Sequence, residues 1–508
     1  MVFEPNYTKV VSSIRDRLGV MQTEVDVRLS TDKDKVDSVL SVGADVTHLA
    51  TSVSNKDVTI SGLLNVTAVT LTDGEPNVLT YTADFKDKYV SQNNVLGEVI
   101  LSGEVVDISY SVIGREVRVK AIIEIILDEI KNKEYSVLTS VNNDNVFTKI
   151  ENINFETYSG IATDKFDTNY EFEITGAKEI LYALPTIKLT SVTPNDKFLT
   201  ISGKVYLDVC YKTGDTLQDI NKTNIEYDFV QEVLNDGLNK DSNIQSILDK
   251  VMTEFKLDTN LVDNKMVVSV TLPILYRGFI FNKYEIQSVM DIYSSTNYLG
   301  VTYDTISVMH SKDVITFTDK VDGVISISET APFIDEIVGV CLNNVALTKS
   351  GVGDGSLLIE GVVSVTAVYY SKENESLNSV IIDMPFALDE MVEYGDMVKT
   401  ISTLAVENIS SRSRRGKEIE VNLDLNVYTE VYENMSDMII TDVTLGDTLQ
   451  RDNCVLTIYI VREGDTVWSI AKDLGVSLDV IYAQNDIGDV LRVGEKLIIY
   501  SPIQKSVS

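Results

Sequence analysis

Val58-Thr59-Ile60-Ser61-Gly62-Leu63-Leu64-Asn65-Val66 decides the reading of this chain, because the same phrase returns twice more. Leu199-Thr200-Ile201-Ser202-Gly203-Lys204-Val205-Tyr206-Leu207 and Leu357-Leu358-Ile359-Glu360-Gly361-Val362-Val363-Ser364-Val365 place a Gly after Ser or Glu inside a strand pattern. The glycines stand 141 and 158 residues apart. Each phrase is preceded by a short mixed segment (36–44, 179–184 and 334–340). Each is followed, after a polar stretch, by a second Val/Ile/Thr/Tyr-rich run (117–127, 267–276 and 419–428). A glycine inside a strand marks a bulge or a close backbone approach. Its return in one context indicates a module of roughly 140 residues present in three copies.

The 508 residues are too many for one hydrophobic core. Alternation such as Leu423, Leu425 and Val427 with Asn422, Asp424 and Asn426 between them predicts antiparallel sheet with one wet face. Two stretches read as helix: Tyr7 to Val20, with Val10, Ile14 and Leu18 in phase, and Asn243 to Phe255, with Ile244, Ile247, Leu248, Val251 and Phe255 on one face. The expected fold class is mainly β: three tandem β-rich repeat domains of antiparallel sheet with few helices, plus a small β-α-α-β unit. The expected divisions are an N-terminal helical segment over 1–22, repeats over 23–145, 146–300 and 301–450, and the small unit over 456–502.

Asp and Glu outnumber Lys and Arg by 77 to 43, a formal charge of −34. Such a charge opposes binding to nucleic acid, which needs a positive footprint, and to anionic lipid surfaces. The first 18 residues lack the apolar run of a signal peptide, and no stretch approaches 18 uncharged apolar residues, so no membrane span is expected. Cys210, Cys341 and Cys454 lie far apart, which suits a reducing interior better than a disulfide framework. With His48 and His310 the only histidines, no zinc spacing arises; neither metal nor cofactor is expected. No serine has a motif that would activate it, and Gly351-Val352-Gly353-Asp354-Gly355 lacks the Lys and Ser/Thr of a phosphate loop and reads as a hairpin. We therefore expect no catalytic residues and no enzyme.

The C-terminal stretch carries the most specific pattern. Tyr459-Ile460-Val461-Arg462-Glu463-Gly464-Asp465-Thr466-Val467-Trp468-Ser469-Ile470-Ala471 predicts a strand, a glycine turn and a helix capped by Asp465 or Thr466. Gly475 suits that helix's C-terminus, and Ser477 caps a second helix that ends at Asn485. A returning strand runs from Lys496 to Tyr500. This pattern, with Gly494 and Leu497, resembles the LysM family along its whole length. The resemblance implies two helices packed on one side of a two-stranded sheet and a shallow groove for N-acetylglucosamine-containing glycans. The matching interaction surface comprises Gly464, Asp465, Thr466, Trp468, Ile470, Asn485, Ile487, Leu491 and Arg492. For Trp468 the residues leave two readings: a packing residue or a platform for a sugar.

Tandem modules with the strand-glycine pattern, joined directly to a terminal LysM unit, resemble clostridial spore-coat morphogenesis proteins of the SipL type, built from SPOCS domains. That resemblance implies a non-enzymatic scaffold or adaptor in sporulation, docking through its LysM domain to the coat basement morphogenetic ATPase. It also implies a place in the mother-cell cytoplasm at the forespore surface, among other coat proteins. Self-association and glycan are the further partners considered, and the alternative function is a peptidoglycan- or N-acetylglucosamine-binding protein anchored to wall or cortex. Arg412, Arg414, Arg415 and Lys417 form a sharp basic cluster, read either as a solvated hairpin turn or as a docking patch for an acidic partner.

Overall fold

The computed structural model describes residues 3–262, 265–395, 397–449, 456–487 and 491–500. Strand makes up 78% of the chain and helix 4%, so the fold is mainly β. The first six strands are β1 (Glu4–Ser30), β2 (Ser38–Ser54), β3 (Asp57–Thr72), β4 (Glu75–Val90), β5 (Glu98–Ile113) and β6 (Glu116–Asn142). They form two antiparallel three-stranded sheets, the meander β2-β3-β4 and the sheet β1-β6-β5. Apolar residues alternate along β6, so Val117, Val119, Ala121, Ile123, Ile125 and Leu127 all face the core between the sheets at 1% exposure or less. Each Val, Ile or Leu side chain so buried contributes about 1.5–3 kcal/mol.

The pattern then repeats. β7 (Val146–Thr175), β8 (Glu179–Asn195), β9 (Phe198–Lys212), β10 (Ile220–Leu234), β11 (Asn243–Lys250), β12 (Lys256–Val262) and β13 (Lys265–Ser294) build the meander β8-β9-β10 and a second sheet in which β13 pairs with β7 on one side and with β11 and β12 on the other. The counterpart of β5 is thus split in two by a 3-10 turn over Met252–Glu254. β14 (Asn297–Ser326), β15 (Glu336–Gly353), β16 (Ser356–Ser371), β17 (Ser376–Met391), β18 (Lys399–Arg414) and β19 (Glu418–Thr448) repeat the arrangement of the first six.

The three anchor glycines occupy the middle strand of each meander, directly opposite a phenylalanine: Gly62 faces Phe85, Gly203 faces Phe229 and Gly361 faces Phe386. A Cβ added at Gly62 or Gly361 would lie 2.7 or 2.6 Å from the Cζ of its ring, and Gly203 stands in the same relation to Phe229. The aromatic ring therefore lies where a side chain would be. On the other flank of each glycine the neighbouring strand slips register, between Thr47 and Ala50, Leu189 and Ser191, and Leu347 and Lys349. Close approach and bulge occur together, on opposite sides of one residue.

The first and last strands of each repeat are long, and the pairs β1–β6, β7–β13 and β14–β19 extend past their own sandwiches to meet around a common centre. Val10, Tyr135 and Val137 from the first pair, Ile153 and Phe155 from the second, and Ile306, Val308 and Ile439 from the third share one core. Each pair slips register near its middle, where it leaves its sandwich: between Arg17 and Gly19, at Ile280/Phe281, and between Ser311 and Asp313. Bulges bend strands, and these let one ribbon serve two cores.

Two helical expectations are corrected here. Residues 1–22 hold no helix among the described positions; β1 begins at Glu4 and belongs to the first repeat. Val10, Ile14 and Leu18 are spaced by four, which satisfies a strand's period of two as well as a helix's turn. Residues 243–250 form β11, and a 3-10 turn follows. Its buried side chains include Gln245 and Asp249, because both reach into the junction with neighbouring repeats. Polar residues inside and Ile244, Ile247 and Leu248 only partly buried hid the alternation.

Candidate functional site

The C-terminal module is built from β20 (Leu456–Ile460), α1 (Val467–Leu474), α2 (Leu478–Gln484) and β21 (Lys496–Tyr500). β20 and β21 pair antiparallel, and Val461, Ile470, Ala471, Ile481, Leu497 and Ile499 form its buried core. Its two polar turns mirror one another. In the first, Gly464 adopts φ +86°, and Asp465 Oδ2 accepts from the Arg462 N–H at 2.7 Å and the Tyr459 O–H at 3.0 Å. In the second, Gly494 adopts φ +86°, and Glu495 Oε2 accepts from the Arg492 N–H at 3.0 Å. The turns are tied together where the Gly494 N–H donates to Val461 O and the Val461 N–H to Glu495 O. Asp465 is thus a staple of its own turn. The cap of α1 is Thr466, whose Oγ1 accepts from the Ser469 N–H at 3.0 Å.

Gly475 ends α1 in the left-handed region at φ +59°, and Ser477 accepts from the Val480 N–H to start α2. Asn485 follows α2 and reaches the outer edge of β21, its Nδ2 donating to Ile498 O at 2.8 Å and its Oδ1 accepting from the Ile498 N–H at 2.7 Å. Gln484 treats Tyr500 in the same way. The two amides complete the backbone bonds that an edge strand leaves open. Asn485 thus braces the edge of the sheet, half-buried, and Ile470 is fully buried in the module's core. Ile487 and Leu491 are half-buried against the module's core, Arg492 is exposed, and 488–490 lie outside the described residues. Gly464 and Thr466 are exposed and Asp465 is half-exposed.

Trp468 points at the second repeat. Its ring meets Tyr293 edge-on with centroids 5.1 Å apart, and its Nε1–H donates to Asp291 Oδ2 at 2.7 Å. Lys472 Nζ holds the other oxygen of Asp291 at 2.6 Å, and the Tyr293 O–H donates to Val476 O at 2.7 Å. Burial pushes the Asp291 carboxyl up, but the Lys472 ammonium and the indole N–H together hold it below the ordinary carboxylate value. Phe147 backs Tyr293 at 5.1 Å. Trp468 is therefore a packing residue, on a surface committed to the chain's own body.

An apolar feature of the module went unread in the sequence. Ile458 and Ile460 on β20 and Ile498 and Tyr500 on β21 are 50–61% exposed, on the face of the sheet turned away from the helices. The signal was present as same-parity apolar residues in two short strands whose other parity fills the core.

The basic cluster lies on the β18–β19 hairpin. Arg412 and Arg414 both bind Glu420, while Lys417 donates to Glu329 O and Ala331 O and sits over the Phe333 ring at 4.1 Å. Arg415 occupies the turn at φ +53°. Much of the cluster's charge is met internally, which braces the hairpin, while the Arg412 and Arg414 side chains stay 64% and 45% exposed. Cys210 and Cys341 are buried free thiols, burial pushing the Cys210 thiol up to about 12, and Cys454 lies outside the described residues. Among the described residues no group of three or more His, Cys, Asp or Glu side chains is placed to hold a metal ion, and no helix is long and apolar enough to cross a membrane.

Neither the curated proteins nor the solved structures include a match to this chain. The family model for the LysM domain matches residues 459–499, the span from the end of β20 into β21, and the chain carries a LysM domain there.

Proposed function

We propose that the chain is a non-enzymatic scaffold that presents one LysM domain at a fixed position on a three-repeat body, and that it acts in spore coat assembly by docking to the coat basement morphogenetic ATPase. A LysM domain by itself points to a glycan-binding role. The observation that favours a protein partner is the apolar sheet face of Ile458, Ile460, Ile498 and Tyr500, since exposed apolar patches rimmed by polar residues mark protein interaction sites. The test is binding of the full chain to the purified ATPase, compared with Ile458→Arg and Ile498→Arg. Loss of binding in variants with unchanged thermal unfolding supports the reading, and unchanged binding refutes it.

The glycan reading keeps its own support in the exposed first turn, Gly464 to Thr466. Sedimentation with purified peptidoglycan separates the two. Retention abolished by deleting 456–500, with no binding to the ATPase, would favour the wall- or cortex-anchoring alternative.

A further inference from the structure

Where the three repeats meet they enclose a chamber of about 840 Å³, open to solvent and lined by all of them. Its volume falls within the range of small-molecule sites, roughly 300–1,000 Å³. The wall is made largely of sheet edges: β2 and β5 from the first repeat, β8 and β11 from the second, β15 and β18 from the third. Their edges are thereby turned away from the outer surface.

The charged groups of the wall are matched with one exception. Arg17 binds Asp128, Arg277 binds Asp249 at 2.9 Å, and Lys188 binds Glu407 at 2.7 Å. Lys349 reaches Glu360 at 4.0 Å. Glu104 on β5 and Glu124 on β6 stand directly opposite each other across the sheet, and among the described residues neither is in an ion pair. Glu104 Oε1 accepts from the Leu347 N–H of the third repeat at 3.1 Å, and Glu124 accepts from the Gln22 amide at 3.0 Å. Like charges directly opposed on a sheet destabilise it. Burial pushes the Glu104 carboxyl up to about 7, with the Glu124 charge adding to it. Beside the pair, on the same face of the sheet as Glu124, Ile126 and its cross-strand partner Val20 provide an aliphatic wall that Leu347 of the third repeat continues.

We propose that the chamber binds an alkylammonium group, with Glu104 and Glu124 holding the charge and Val20, Ile126 and Leu347 the aliphatic stem. A cation there would supply the counter-charge that the pair lacks, and it would draw Glu104 into its ionised form. Two sources carry this chemistry: a free polyamine, or a lysine side chain on an extended peptide whose backbone pairs with one of the edges in the wall.

Calorimetric titration of the full chain with spermidine, and separately with the peptide acetyl-Val-Lys-Val-Lys-Val-amide, tests the proposal at near-physiological salt, where nonspecific attraction to so acidic a chain is screened. Neutral controls are 1,8-octanediol and the same peptide with Gln for Lys. One saturable site per chain for at least one cationic probe is expected, with affinity falling about tenfold or more in Glu104→Gln and in Glu124→Gln. Glu463→Gln, on an exposed turn of the LysM domain, should bind as the parent does. Thermal unfolding of each variant checks that it folds. Saturable binding of spermidine alone assigns the site to free amines, and tighter binding of the peptide assigns it to lysine-bearing segments. The proposal is overturned by three outcomes: no saturable binding of either probe, equal binding of the neutral controls, or unchanged affinity in both Gln variants.

Discussion

Removing Tyr293 should release the LysM domain from the body. The ring is 5% exposed and belongs to the module's core although it comes from β13. Tyr293→Ala removes a buried aromatic, its edge-on contact with Trp468 and the bond to Val476 O, at a cost of about 3–5 kcal/mol, as for other large-to-small aromatic truncations. That raises the undocked population by roughly 10² to 4 × 10³. Asp291→Asn keeps an acceptor for the indole N–H and loses only the charge on Lys472, which is 41% exposed. After solvent screening its cost should be about 0.5–1 kcal/mol. Trp468 is the only tryptophan in the chain, so its fluorescence reports this joint directly. In urea, Tyr293→Ala should move the tryptophan transition to much lower denaturant and red-shift its native emission, while far-ultraviolet circular dichroism of the body holds. Asp291→Asn should shift the transition slightly. The carboxyl is lowered in the folded state, so its contribution is present above the ordinary carboxyl pKa of 3.8 and is lost as pH falls through the lowered value. An unchanged tryptophan transition in Tyr293→Ala would refute the docking argument.

Gly62→Ala should destabilise the first repeat by about 1–3 kcal/mol, because the new Cβ meets the Phe85 ring. Combining it with Phe85→Ala should cost less than the sum by at least about 1 kcal/mol, as measured by denaturant titration of the four chains of the cycle. Arg15→Ala removes a guanidinium that binds Asp128 in a buried pair, donates to Gln245 and lies 5.7 Å from the Tyr432 ring. Because one side chain there joins three repeats, a loss of about 3–5 kcal/mol is expected in thermal or chemical unfolding. Glu430, beside Arg15 and Tyr428, is pushed up to about 7 by burial, although both neighbours oppose the rise. An acid raised above its unfolded value contributes stability below that value and loses it as pH rises through about 7. Glu430→Gln should therefore gain about 1–2 kcal/mol on the parent at pH 8 and little at pH 4.5; equal gains at both pH values would contradict the assignment.

The parts that could be read from the sequence were those where local chemistry and tertiary role agree. Gly464, Thr466, Gly475 and Ser477 act in the turns and caps their residue types suggest, and the strand-glycine phrase marked the middle strand of all three meanders. The parts that could not be read were set by tertiary contacts that no local pattern announces. Gln245 and Asp249 are buried because Arg15, Arg277 and the His48 N–H come to meet them, so β11 lost its alternation. Trp468 carries no local mark of its partner, since Asp291 and Tyr293 lie in a different repeat unit, at the end of a ribbon bent by its bulge at Val289/Asp291. The chamber could not be inferred at all, since Glu104 and Glu124 become a pair only through the register of β5 on β6.

The inward-facing edges explain why three repeats are needed. One repeat alone would expose the outer edges of two sheets and the apolar flanks of a long ribbon, features that invite aggregation. In the chain, Arg277 bonds to Leu49 O, Asn344 Nδ2 to Val105 O and the Leu347 N–H to Glu104, so each repeat supplies polar groups to the edge strands of another. The ribbons meanwhile bury Tyr135, Phe155 and Ile306 against one another. Deleting any one repeat should then unsettle both survivors, in contrast to a linear array, where end repeats can be lost singly. The LysM domain is fastened by Asp291 and Tyr293 near the far end of such a ribbon, beyond the shared core. A domain held there moves with the whole body, and a partner that grips it is placed at a defined distance and angle from the chamber.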